Sequence, residues 1–246
     1  MINKKLIIGA PIPFQDICYI YPPKVKDIIG NDDFFLYSSI LTLSQEEIED
    51  NFVEQNLDLD QLLTPLEYLL NNAYNDVQLN AKIKKAFYCF TRQEILFLFE
   101  QKKIFIGKLS ELKDVKKVDQ LHFITEENYL DFQNAIREAV GLGKVEPPDP
   151  NMNPRLKKMK AKMRYRDKVK AKQGKGASLE TSLLSICCMN MGINPLNIGE
   201  LSYGVIQPLI RQYQEKEKYE NDIRSLLAGA DSKKIQLKYW IHNIED

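Results

Sequence analysis

Residues 145–175 read VEPPDPNMNPRLKKMKAKMRYRDKVKAKQGK, and this stretch sets the organisation of the chain. Four prolines (Pro147, Pro148, Pro150 and Pro154) fall within residues 145–154. Each biases the residue before it toward extended backbone, so the block reads as a boundary. Directly behind it, residues 155–175 hold eleven Lys and Arg against the single acid Asp167, a local charge of +10. The 246-residue chain is formally neutral, so the rest is acidic: −8 over residues 1–154 and −2 over 177–246. The pattern predicts an N-terminal domain over 1–145, a Pro-rich and basic connector over 146–176, and a helical module over 177–246.

Upstream of the boundary, KLIIG and DICYIY within residues 5–21 read as two short strands separated by the turn-forming PIP. Pro22 and Pro23 stop the second, since neither can donate to a ladder. Helical spacing follows in KVKDIIG and in DDFFLYSSILTL. Ser44 and Glu47 have the form of a capping box, which predicts a helix over 45–56. Thr64 before Pro65 marks another start, and a further helix is expected over 79–90. The dense β-prone runs on either side of Gln101 and Lys102 predict a hairpin of about 94–99 and 103–108. LHFI at 121–124 reads as a third strand leading into a helix capped at Thr125. That helix aligns Tyr129, Phe132, Ile136 and Val140 on one stripe, and Gly141 and Gly143 end it.

Downstream, Ser178 caps LETSLLSICCMNM, with Gly192 as a left-handed terminator before Pro195. A longer helix is expected over about 202–228, with Pro208 kinking it or delaying its start. Its end falls at the Gly229 turn, and residues 233–244 form a last element of undefined type. The fold class is therefore α+β and mostly helical: a small antiparallel sheet with helices, then an all-helical module.

Composition excludes several functions. No apolar run approaches bilayer length, and LIIGA is too short before Pro11 to be a signal core, so a cytoplasmic location is expected. Cys18, Cys89, Cys187 and Cys188 lack framework or zinc spacing, and His122 and His242 stand alone. Neither a metal nor another cofactor is expected. The glycines of Gly141-Leu-Gly-Lys and Gly174-Lys-Gly lack phosphate-loop spacing. The acids Glu46, Glu47, Glu49 and Asp50 read as a solvated helix face, and no nucleophile–base set is recognisable. The expectation is a protein without catalytic activity.

Contact residues are sought in two places. As a helix, the basic segment would align Leu156, Met159 and Met163 on an apolar stripe, ringed by Lys157, Lys158, Lys160, Lys162, Arg164, Arg166 and Lys168, with Tyr165 able to stack on a base. Three readings stay open for it: a solvated linker holding two modules apart, a protein contact, or a nucleic-acid contact. Its lysine bias argues against direct base reading, which favours Arg, Asn and Gln. In the helical module, Tyr203, Leu209, Tyr213 and Trp240 are candidate interface anchors, with core packing as the alternative.

The two ends of the chain carry a resemblance. LIIGAPIPFQDICYIYPPKVKDIIG and FFLYSSILTLSQEEIE open it, and NPLNIGELSY, a long helix, LAGA and a Lys-rich run with Lys233, Lys234 and Trp240 close it. Together they resemble tail morphogenesis proteins of phages and prophages of low-GC Gram-positive bacteria, a group that includes tail assembly chaperones. The resemblance implies binding of the helical tape-measure protein, or another tail protein, while the tail tube grows in the host cytoplasm. It also implies absence from the finished virion, and self-association is compatible with it. A structural tail component and a nucleic-acid-binding accessory protein acting through 155–175 are the alternatives. The basic segment lies outside the resemblance.

Overall fold

A computed structural model describes residues 4–55, 62–108, 123–147, 153, 156, 159–164, 178–189, 192–229, 235, 237 and 239. The order is α1 (Lys4–Ile7), β1 (Ile12–Phe14), β2 (Cys18–Ile20), α2 (Val25–Ile29), α3 (Phe34–Thr42), α4 (Gln45–Glu54), α5 (Pro65–Asn75) and α6 (Val77–Thr91). It continues through β3 (Ile95–Leu98), β4 (Lys103–Ile106), β5 (Phe123–Ile124), α7 (Glu126–Ala139), α8 (Leu179–Cys188) and α9 (Ile206–Leu227). The fold is α+β and mostly helical, with two small antiparallel sheets, β1-β2 and β3-β4-β5.

Local chemistry accounts for most boundaries. Ser44 and Glu47 form the reciprocal capping box that starts α4, at 2.8 Å and 3.3 Å. Thr64 does the same with Glu67 ahead of Pro65. The β3–β4 hairpin pairs Ile95 with Ile106 and turns through Lys102 in the left-handed region, and β5 adds Phe123 and Ile124 on the far side of β4. Residues 121 and 122 of the expected strand lie outside the described residues.

The first strand differs from expectation. Most of KLIIG belongs to the single helical turn α1, followed by Gly9 at φ +66°, and the strand is Ile12–Phe14, overlapping the PIP segment read as a turn. Pro13 is tolerated there because a two-stranded sheet leaves one edge of each strand unpaired, and its side chain faces solvent opposite Tyr19.

The main core centres on α7. Phe132, fully buried, stacks on Phe87 of α6 at 5.3 Å and meets Phe14 of β1 edge-on at 5.4 Å. Tyr129, Ile136 and Val140 complete the predicted buried stripe. Helices α3 and α5 pack against α6, while α7 contacts α3, α5 and both sheets.

A second, smaller core joins α8 and α9. Leu183, Ile186, Met189, Ile198 and Ile206 build it, and Val25 of α2 belongs to it as well. The long helix starts later than the expected residue 202: a 3-10 turn over Tyr203–Val205 precedes it, and Pro208 sits in its first turn. Helix α8 ends at Cys188, with Met189 as its C-cap, earlier than the expected end before Gly192; Gly192 is left-handed at φ +73°, and Gly229, just past the end of α9, at +91°. Most of residues 233–244 lies outside the described residues.

Candidate functional site

Three features bear on function: a seam between the chain's two ends, a latch holding the basic segment, and the exposed length of α9.

The seam begins with backbone. The Val25 amide donates to the Leu201 carbonyl at 2.9 Å, and the Tyr203 amide donates to the Pro23 carbonyl at 2.8 Å. This short antiparallel bridge, centred on Lys24 and Ser202, ties PPKV to ELSY. Two cations then converge on one acid: Nζ of Lys24 and of Lys26 each lie 2.6 Å from Glu200. The hydrogen bonds from Lys24 and Lys26 pull the Glu200 carboxyl down to about 2. Beside this pair, Tyr203 packs edge-on to Phe34 and Phe35 at 6.1 and 6.2 Å. Gly204 lies so close to α7 that an added Cβ would meet the Ala139 carbonyl at 2.7 Å. PPKV and ELSY, one from each of the two segments that carry the resemblance, are therefore halves of one contact.

The latch is Arg164. Leu156 and residues 159–164 are helical, and Arg164 reaches three carboxylates of α4. Nη2 donates to Glu49 at 2.9 Å, Nε to Asp50 at 3.1 Å and Nη1 to Glu46 at 3.2 Å. Glu49 and Asp50 are each only 4% exposed. Burial works against the Arg164 charge, but Glu46, Asp50 and Glu49 outweigh it and raise its pKa. Glu49 and Asp50 are thus not part of a solvated face, although Glu46 is exposed, and at Arg164 the basic segment is in contact with α4. Charge runs alone could not reveal this, because the partners lie 114 to 118 residues apart. The available signal was the charge imbalance itself.

The stripe expected on the basic helix faces outward: Leu156, Met159 and Met163 are 41, 53 and 55% exposed. Lys160 and Lys162 are exposed beside it. Lys157, Lys158, Tyr165, Arg166 and Lys168 lie outside the described residues, as does Trp240 of the helical module. Of the other anchors, Tyr203 belongs to the seam, Tyr213 packs at the edge of the second core, and Leu209 is half-buried on α9.

A cleft of about 590 Å³ is lined by residues that include Tyr37, Lys84, Lys85, Tyr88, Cys89 and Arg92. Burial raises the pKa of its Cys89 thiol, and burial pushes the Cys18 thiol up to about 12. No group of three His, Cys, Asp or Glu among the described residues is placed to hold a metal. His122 and His242 lie outside them. No described helix is long and apolar enough to cross a membrane.

Residues 169–245 match the family model of the YomV second domain. The match runs from inside the basic segment through α8 and α9, and it covers less than a third of the chain. The family is phage-derived, so the match supports a phage-associated protein. No curated protein and no solved structure is significantly similar to the chain.

Proposed function

We propose that this chain is a non-enzymatic phage tail assembly chaperone that holds the helical tape-measure protein during tail assembly. The observation that carries the reading is the face of α9. At heptad-like spacing, residues 206, 209, 213, 216, 220, 223 and 227 are Ile, Leu, Tyr, Lys, Glu, Ile and Leu. Among them only Ile206 is buried; Leu209, Tyr213 and Ile223 are half-buried and Leu227 is exposed. Such a seam suits a helical client, which would cover Leu209, Ile223 and Leu227 while the Lys216–Glu220 pair fixes register.

The phage-derived match over α8 and α9 and the resemblance at both ends support the same reading. Co-expression with the tape-measure protein of the same phage is expected to give a stable complex that survives size-exclusion chromatography, while purified tails lack the chain. A stoichiometric amount of the chain in purified tails would make it a structural tail component instead.

A further inference from the structure

The outward side of the basic helix takes no part in the seam or the latch. Arg164 is committed to α4, and Ala161, one turn earlier on the same face, is fully buried. The opposite side presents Leu156, Met159 and Met163, whose spacings of three and four place them in one row. Thioether side chains in such a row adapt to differently shaped partners. Lys160 and Lys162 stand exposed beside the row, and no acid lies among residues 156–164.

We propose that this row is a docking face for an acidic amphipathic helix of a protein partner, a second contact that rests on the chaperone reading. Charge complementarity selects an acidic occupant, and the row selects one with apolar residues at i, i+3 or i+4, and i+7. Duplex nucleic acid fits less well, because the centre of the surface is apolar and its described arginine is saturated by three carboxylates. An anionic membrane fits less well too, since three side chains on a helix pinned against the body offer little area for insertion.

The test uses the full chain and a synthetic helix of roughly three heptads with Leu at a and d and Glu at the remaining charged positions. Binding is expected at low salt, weakened by Met159→Glu with Met163→Glu by about tenfold or more. Met159→Leu with Met163→Leu should bind like the parent, and neither pair should move the melting temperature, because both sites are over half exposed. Equal binding of the same peptide with Lys in place of Glu overturns the proposal, as does a Glu pair that binds unchanged. Binding only of phosphatidylserine vesicles or duplex DNA, or self-association lost in the Glu pair, also overturns it in favour of those occupants. A tape-measure complex that survives in the Glu pair sinks this contact alone. Peptide binding through the row without any tape-measure complex sinks the chaperone reading alone.

Discussion

Nη2 of Arg164 lies 2.9 Å from Oε2 of Glu49, joining positions 115 residues apart. Glu49 is almost without solvent, and Asp50 beside it shares the same guanidinium through Nε. Two carboxylates at that depth require a cation, because an unpaired buried charge costs several kcal/mol. The latch therefore couples the placement of the basic helix to the stability of α4.

Replacing Arg164 by Ala should cost about 2 kcal/mol, below the range for a fully buried pair because the Arg164 side chain remains 26% exposed. For a chain of this size that is a fall in Tm of roughly 4 to 8 °C. Arg164→Lys should recover only part of the loss, since an ammonium cannot bridge three acids in the guanidinium's planar geometry. Glu46, which is 65% exposed, serves as the control: Glu46→Gln should shift stability by less than about 1 kcal/mol. Differential scanning calorimetry of the three variants decides it, and an Arg164→Ala curve superposing on the parent would falsify the latch.

A second prediction concerns the seam. A Cβ at Gly204 would sit 2.7 Å from the Ala139 carbonyl and 3.1 Å from the Gly141 nitrogen, both backbone atoms that cannot swing aside. Gly204→Ala should therefore destabilise by about 1–3 kcal/mol through overpacking. Gly143→Ala, where a Cβ meets nothing within 4 Å, should change stability by less than about 0.5 kcal/mol. Urea midpoints at matched m-values measure both, and equal midpoints would mean that the turn at Tyr203–Val205 does not hold α7 this closely.

Acid should loosen the same seam. The Glu200 carboxyl is held down at about 2 by its hydrogen bonds to Lys24 and Lys26. A carboxyl depressed in the folded state stabilises the fold above its unfolded value and loses that contribution as pH falls through the folded one. The window therefore runs from the ordinary 4.5 down to about 2. Glu200→Gln should be less stable than the parent at neutral pH, and the two urea midpoints should converge across that window. Because the pair is exposed, 1 M salt should shrink the difference at neutral pH. A gap between the two that is constant from pH 7 to pH 2 would remove the ion pair as its cause.

Legibility followed the range of the interactions. The caps at Ser44 and Thr64, the stripe Tyr129–Phe132–Ile136–Val140 and the hairpin around Lys102 are decided by neighbours within a few residues, and the sequence displays them directly. The first strand was misplaced because Pro13 reads as a breaker, and only its position in a two-stranded sheet makes it harmless. The acids of α4 looked solvated for a different reason: helical spacing gives a residue's face but not what arrives there from 115 residues away. Likewise, nothing local in PPKV or ELSY states that they bridge. Their joint presence in the resemblance was the only hint that the ends belong together.

The chaperone reading makes its own demand on α9. Leu227 is 84% exposed at the last heptad position of the helix, so Leu227→Asp should alter stability by less than about 0.5 kcal/mol. If a client helix covers that face, the same change places an unpaired carboxylate in an apolar contact and should sharply reduce recovery of the tape-measure complex on co-expression. Leu196, 96% exposed in the turn before the seam, provides the matched control. Leu196→Asp introduces the same charge away from the α9 face and should leave recovery unchanged. Equal losses from both substitutions would point to general charge repulsion rather than a helical seam, and no loss from either would place the client elsewhere.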